Sequence, residues 1–344
     1  MHMVDALISP MVGGTMWATT AGLMAYSAKK LQTEHDDKKV PLMGVLGAFI
    51  FAAQMINFSI PLTGSSGHLG GGLILAILLG PYAGFLAMAS VLVIQALFFA
   101  DGGLLALGCN IFNMGFWTCF VAYPLIYKKI VRNNSTRRAI FWGTMAASIV
   151  GLQLGAFSVV LETFFSGISA LPFKTFVLWM QPIHLAIGIV EGLITAAVVS
   201  FVWKARPEIV DHAALTQPIG KVSNKGIIIG ILIVTLITGG ALSWFASASP
   251  DGLEWSMLHT SGRDEMQSKN GLHQTIATVQ KKTAIMPEYD FRRSLSHSKR
   301  NELARPVWPA VNGGTSMSGI LGATLIIILI AAFGYGLKWI KKRS

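Results

Sequence analysis

The sequence has little charge. Only 12% of its residues are Asp, Glu, Lys or Arg, half the roughly 25% of a soluble globular domain, while 53% are apolar and the mean hydropathy is +0.57. These proportions exclude a purely soluble protein, and also a disordered chain, which is polar and low in hydrophobicity. Cysteine is nearly absent. Cys109 and Cys119 are the two in 344 residues, too few for a disulfide framework or a cysteine-rich zinc site, and both read as packing residues. Acid is scarcer than base, 16 residues against 27, for a net charge of +11. Such an excess suits nucleic acid, but here the bases fall between long apolar runs, which membrane topology explains better. A phosphate loop G-x-x-x-x-G-K-[ST] is lacking, since Gly220-Lys221-Val222 fails the spacing. ATP hydrolysis by this chain is therefore not expected.

What is present is a series of apolar stretches near the roughly 20 residues that a spanning helix needs. They are 8–28, 41–59, 105–127, 139–160, 182–203, 226–247 and 318–337. The run 69–100 carries Gly80-Pro81 in its middle and reads as two shorter spans, 68–80 and 82–100, because proline breaks a helix. Charge supports the division. Loops 29–39, 128–138 and 204–225 and the C-terminus hold the bases, whereas Lys174 alone lies in a short loop of the other side. Lys and Arg stay cytoplasmic, so the N-terminus is expected outside and the C-terminus inside, with nine spans in the inner (cytoplasmic) membrane. The start has no basic stretch, and Asp5 and Pro10 interrupt it. It does not read as a signal peptide, so Met1 is expected to remain and to present a free α-amine outside.

The expected fold is an all-α polytopic membrane protein. Spans one to seven form a bundle over 1–206, residues 207–224 are a polar cytoplasmic linker, and residues 225–344 carry two spans around an extracytoplasmic segment, 248–317. That segment holds 16 of the 43 charged residues with little periodicity and reads as loosely folded or partner-dependent. His259, His273, His297, Met257, Met266 and Met286 fall in it and read as solvated loop residues rather than metal ligands.

Chemistry concentrates at the N-terminus. With histidine second, the α-amine of Met1 and the backbone nitrogen of His2 close a five-membered ring on a metal. The same backbone nitrogen and imidazole Nδ1 close a six-membered ring. Three nitrogens in one plane suit Ni(II) or Cu(II), and are feasible for Co(II). The loop 60–70, IPLTGSSGHLG, is free of charge, and its glycines allow His68 to fold toward the fourth position. The plain alternatives are a frayed terminus and a solvated histidine. Gln54, Asn57, Asn110, Asn113, Glu162, His184 and Glu191 lie at membrane depth, where ionisable groups are costly and mark pathways. Asn57, Asn110 and Asn113 read either as orienters of the ligands or as helix–helix hydrogen bonds. Glu191 is expected to pair with His184. Asp5 and Asp101, the acids nearest in sequence, have no evident partner, though Asp101 belongs with the pathway residues. Gly188, Gly192 and Ala196 form a small-residue stripe for close helix packing, within the bundle or against a partner.

The start MHMVDALISPMVGG and the runs AAQMINFSIPLTGSSGHLGGG, ILLGPYAG, QALFFADGGLLALGCNIFNMG and HLAIGIVEGLITAAV resemble the CbiM/NikM family over about 1–206. These are substrate-binding S components of energy-coupling-factor (ECF) nickel and cobalt transporters. The resemblance implies a seven-helix bundle, with metal bound by the amine of Met1, the amide nitrogen and imidazole of His2, and the imidazole of His68. SPDGLEWS at Ser249–Ser256 and TSMSGILGATL at Thr315–Leu325 resemble the small NikN subunit, here fused in one chain. The implied function is import of Ni²⁺, with cobalt import for cobalamin synthesis as the alternative. The implied partners are a membrane coupling (T) subunit and separate ATPases, with no nucleic acid, no cofactor and no enzyme activity. Against a self-contained secondary transporter stands the lack of a visible inverted repeat. Against an intramembrane metalloenzyme stands the filled coordination plane.

Overall fold

The computed structural model describes residues 2–34, 39–131, 136–169, 171–215, 225–263, 271–292 and 308–341 and is 81% helical. Helix α1 (Pro10–Thr33) starts with Ser9, whose Oγ accepts from the Val12 amide, and with proline in its first turn. Helix α2 (Lys39–Gln54) leads into a short antiparallel hairpin, β1 (Phe58–Ile60) and β2 (Ser65–Gly67), with Phe58 opposite Gly67 and Ile60 opposite Ser65. Then follow α3 (Gly72–Leu79), α4 (Pro81–Phe99), α5 (Leu107–Val131), α6 (Arg137–Ser166), α7 (Phe173–Ala205) and α8 (Pro207–Leu215). Beyond these come α9 (Lys225–Gly240), α10 (Gly252–Ser261), α11 (Gly271–Thr283) and α12 (Gly313–Lys341).

Among the described residues, five helices are long and apolar enough to cross a membrane: α4, α5, α6, α7 and α12. Helices α2 and α9 are apolar but have 16 residues each. Helix α1 has 24, but its Thr, Ser and Gly content makes it less apolar.

The expected span at 68–80 takes a different form. Helix α3 has eight residues, about 12 Å at the usual helical rise and short of the ~30 Å hydrocarbon layer. Its far end breaks where Gly-Pro predicts, with Gly80 at φ 84° and ψ 165°. Its near end stays unwound because the Gly70 and Gly71 amides bond to a side chain, the Glu191 carboxylate at 3.1 Å each, instead of entering a helix. Every residue of α3 is buried, and the glycine-lined loop before it is held inside the protein.

The stripe on α7 packs within the bundle. A Cβ at Gly188 or Gly192 would stand 3.2 Å from the Ile149 backbone or 2.6 Å from the Met145 sulfur of α6. Helices α9 and α12 cross each other at Gly239 and Gly319 and lie on α2, where a Cβ at Gly322 would overlap the Phe51 ring. The described parts of 248–317 are folded against the bundle, contrary to the loose segment expected. The Ile285 and Met286 amides donate to the Phe98 carbonyl at 2.9 and 3.1 Å, and Gln280 Nε2 donates to the Ala96 and Gly102 carbonyls at 2.9 and 2.7 Å. His273, Met257 and Met286 are correspondingly buried rather than solvated. Their apolar and hydrogen-bonding surfaces are spent on this docking. Met266 and His297 lie outside the described residues.

Gly72, the first residue of α3, faces α5. A Cβ there would stand 2.2 Å from Thr118 Oγ1 and 2.5 Å from the Met114 carbonyl. Gly72→Val is expected to cost about 1–3 kcal/mol by overpacking, read as a lower melting temperature in detergent. Gly14→Ala, with nothing within 4 Å of the added methyl, should melt within error of the wild type.

Candidate metal centre

The N-terminal segment is clamped. Asn110 on α5 binds both main-chain groups of Met3: the Met3 amide donates to Asn110 Oδ1 at 2.8 Å and Asn110 Nδ2 donates to the Met3 carbonyl at 3.1 Å. The Gly103 amide reaches the same carbonyl at 2.8 Å. Two residues on, Asp5 Oδ1 accepts from the Leu105 and Ala106 amides at 2.8 and 3.0 Å. Burial raises the Asp5 carboxyl and these amides pull it back. His273 Nε2 closes the row at the Ile8 carbonyl, 2.9 Å. Met3, Leu7 and Ile8 are wholly buried in consequence, and His2 enters the interior at a fixed place.

His68 meets it there. Gln54 Nε2 donates to the Gly70 carbonyl at 2.9 Å, and Gln95 Nε2 supports Gln54 Oε1 at 2.8 Å. Together with Glu191, these bonds fix the loop that follows β2. The two imidazoles stack, with centroids 5.0 Å apart and planes 12° from parallel. His68 Nδ1 donates to the Leu69 carbonyl at 3.1 Å, and His2 Nδ1 stands 3.3 Å from Asp101 Oδ1. Each ring is left with a buried Nε2 that has no partner. Burial lowers His68 to about 3. It lowers His2 too, against the pull of Asp101. Burial thus favours the neutral form of both rings, in which one nitrogen carries a lone pair. Met1 lies outside the described residues. Among the described residues no three His, Cys, Asp or Glu side chains form a metal cage, so a metal centre at this pair has to draw on main-chain nitrogen as well.

A cavity of about 600 Å³ opens onto the pair. Asp101, Asp251, Glu254 and Glu288 line it and, among the described residues, no Lys or Arg does. Three of these acids belong to the segment after α9. Asp251 caps α10, accepting from the Leu253 and Glu254 amides at 2.8 and 2.9 Å, while Glu254 takes the Asp251 amide at 2.9 Å. This capping box is the Pro250-Asp251-Gly252-Leu253-Glu254 signature, which by itself reads only as a turn. It docks on the hairpin: the Ser66 amide donates to the Pro250 carbonyl at 2.8 Å, Ser66 Oγ to the Ser249 carbonyl at 2.7 Å, and Trp255 Nε1 to the Thr63 carbonyl at 2.9 Å.

The polar residues singled out in the sequence fall into distinct places. Asn110 orients the N-terminal segment. Asn113 serves Glu162 instead, donating at 2.7 Å, and touches the Met3 sulfur at 3.7 Å. Asn57 lines the cavity, and its carbonyl accepts the Ser247 amide at 2.7 Å. Asp101, without evident partner in the sequence, joins His2 to the Tyr289 hydroxyl. The expected Glu191–His184 pair does not form. Glu191 turns to the two glycine amides, and His184 Nδ1 donates to the carbonyl of Met180 one turn back at 2.8 Å. Gln95, Tyr289 and Asp251 escaped the sequence reading, since each acquires its place only through contacts far along the chain.

Comparison with known proteins identifies the family. Residues 2–209 match the family described as the cobalt uptake substrate-specific transmembrane region, CbiM. The chain belongs to the CbiM family. Residues 225–339 match the PDGLE domain, which in this CbiM protein contains α9, the capped helix and α12. A relative in Archaeoglobus fulgidus, provisionally named a fused nickel transport protein NikMN, is 39% identical over 62% of this chain and 69% of its own. The fused nickel transport protein NikMN of Rhodobacter capsulatus is 33% identical over 61% and 63%. The cobalt transport protein CbiM of Sorangium cellulosum is 28% identical over 63% and 97%. A crystal structure of a truncated transition metal transporter superposes with a TM-score of 0.53 at 31% identity, covering 60% of this chain and 99% of that one.

Asn110→Ala removes both partners of the Met3 main chain. By the usual cost of losing a group that orients a ligand, Ni²⁺ affinity should drop about 10- to 100-fold. Calorimetric titration of the purified variant checks this, and an unchanged affinity would separate the clamp from metal binding.

Proposed function

We propose that the chain is the substrate-specific membrane component of an ATP-driven ECF importer, with Ni²⁺ as its cargo and Co²⁺ as the alternative. The observation that carries this is the stacked pair His2 and His68, at the end of an N-terminal segment clamped on both main-chain groups of Met3, with His68 Nε2 buried and unpartnered. The ligands are the Met1 amine, the His2 backbone nitrogen, His2 Nδ1 and His68 Nε2. Loading takes His2 Nδ1 from Asp101 by rotation of the ring about Cβ–Cγ, and Asp101 keeps the bond to Tyr289. Five- and six-membered rings sharing one deprotonated amide nitrogen hold three donors in a plane, the geometry Ni(II) prefers. The PDGLE domain and the fused relatives, named for nickel, favour that ion. The description of the CbiM family favours cobalt.

In this reading residues 1–206 are the seven-span S component, 207–224 a cytoplasmic linker and 225–344 the two-span PDGLE part, with the N-terminus outside the inner membrane and the C-terminus inside. The acid-lined cavity draws divalent cations from outside, since a cleft of one charge sign raises the local concentration of its counter-ion. A coupling membrane subunit and separate ATPases drive release inward.

The decisive titration compares wild type with a variant carrying one alanine between Met1 and His2, which keeps every side chain but enlarges the chelate. Expected are one Ni²⁺ per wild-type chain, its affinity cut by His68→Ala, and an inserted variant indifferent to that substitution. Binding untouched by His2→Ala and His68→Ala would place the site elsewhere. In proteoliposomes, uptake should require the ATPase and coupling subunits. Protons leave the amine and the amide on binding, so affinity should rise with pH. A binding curve flat between pH 5 and 8 contradicts the amide chelate.

A further inference from the structure

Beside the stacked pair is a second, smaller space. It lies between α7, the residues after β2 and the start of α10, and measures about 10 Å³, room for a single water-sized guest. His68, His184 and Asp251 line it. His184 is 1% exposed. Because its Nδ1 donates to the Met180 carbonyl, its Nε2 carries the lone pair, and that atom has no partner. His68 repeats the pattern, with Nδ1 on the Leu69 carbonyl and Nε2 unpartnered. Gly252 is the opposing wall. A Cβ there would stand 3.1 Å from His184 Cε1 and 3.4 Å from Nε2, so the bare glycine leaves that edge of the ring uncovered.

Two buried imidazole lone pairs and a carboxylate therefore border one void, and none of the three offers it a hydrogen. The two imidazole nitrogens are unpartnered and costly to bury, and the guest that relieves them beside the α10-capping carboxylate is one that accepts electron pairs. We infer that His184 Nε2, His68 Nε2 and Asp251 form a second station for the same divalent cation, built from both parts of the chain. Imidazole and carboxylate suit Ni(II) and Co(II). The three side chains do not yet converge as a cage, so the His68 ring turns to complete it. His68 is then a ligand shared by two positions. An ion from the acid-lined cavity exchanges part of its water for His184 and Asp251, and passes through His68 to the N-terminal nitrogens. Desolvation of a strongly hydrated ion is divided into two steps. The inference rests on His68 being a metal ligand but does not need the Met1–His2 chelate.

The test uses the full chain in detergent, with Co²⁺ as the probe and its visible spectrum as the readout. In a His2→Ala background, one Co²⁺ should still bind, about 10- to 100-fold more weakly than in wild type, as on loss of ligand support. His184→Phe, added to that background, should abolish the remaining binding, and so should Gly252→Ala, which fills the space without removing a donor. With His2 intact, His184→Phe should leave the final affinity near wild type but slow loading in stopped-flow by about tenfold. Residual binding indifferent to both added substitutions overturns the station, as does a His2→Ala protein that binds nothing. Loading at the wild-type rate in both single variants also overturns it, because the space then holds only water. Full-strength binding in His2→Ala that His184→Phe removes would sustain the station while refuting the N-terminal chelate. Should His184→Phe fail to fold, Gly252→Ala distinguishes the same outcomes.

Discussion

The Glu191 carboxylate on the amides of Gly70 and Gly71 is the interaction on which the rest depends. A carboxylate in the middle of a membrane-spanning helix carries a heavy desolvation cost, bearable where both oxygens are bonded. Glu191 bonds one oxygen to each glycine amide. The loop after β2 is thereby drawn into the protein, α3 shortens to eight residues, and His68 ends two residues from a fixed point. Gln54 and Gln95 extend the network from α2 and α4. Each of these groups helps to set where His68 stands.

The N-terminal segment is fixed by different means. Asn110 imitates a neighbouring β-strand, offering Met3 an acceptor and a donor from a single amide group, and Asp5 repeats the service two residues on with the loop before α5. The N-terminus of a chain ordinarily frays. Here Met3, Leu7 and Ile8 are wholly enclosed. A chelate that uses the first backbone nitrogen requires this, because its donors have no rigid helix beneath them.

Much of this was legible in sequence. Apolar runs placed most of the helices, Gly80-Pro81 marked a real break, and Met1-His2 with a glycine-framed His68 identified the two rings that meet. The length of α3 was not legible, because an apolar run cannot reveal that its first glycine amides are claimed by a carboxylate some 120 positions away. The wrong pairing of His184 with Glu191 has the same origin: spacing on one helix showed that they share a face, not what faces them. Asp251 read as a turn because a capping box describes only its own helix. Its place on the cavity depends on Ser66 and Trp255, bonds spanning more than 180 residues.

Those bonds also bear on why one polypeptide carries both parts. The hairpin beside His68 binds the PDGLE segment through main-chain, serine and tryptophan contacts. A tether of 207–224 and α9 makes the encounter intramolecular, at an effective concentration in the millimolar range. Every bundle then has its own acidic wall at hand, in a ratio of one to one that no fluctuation in expression can disturb.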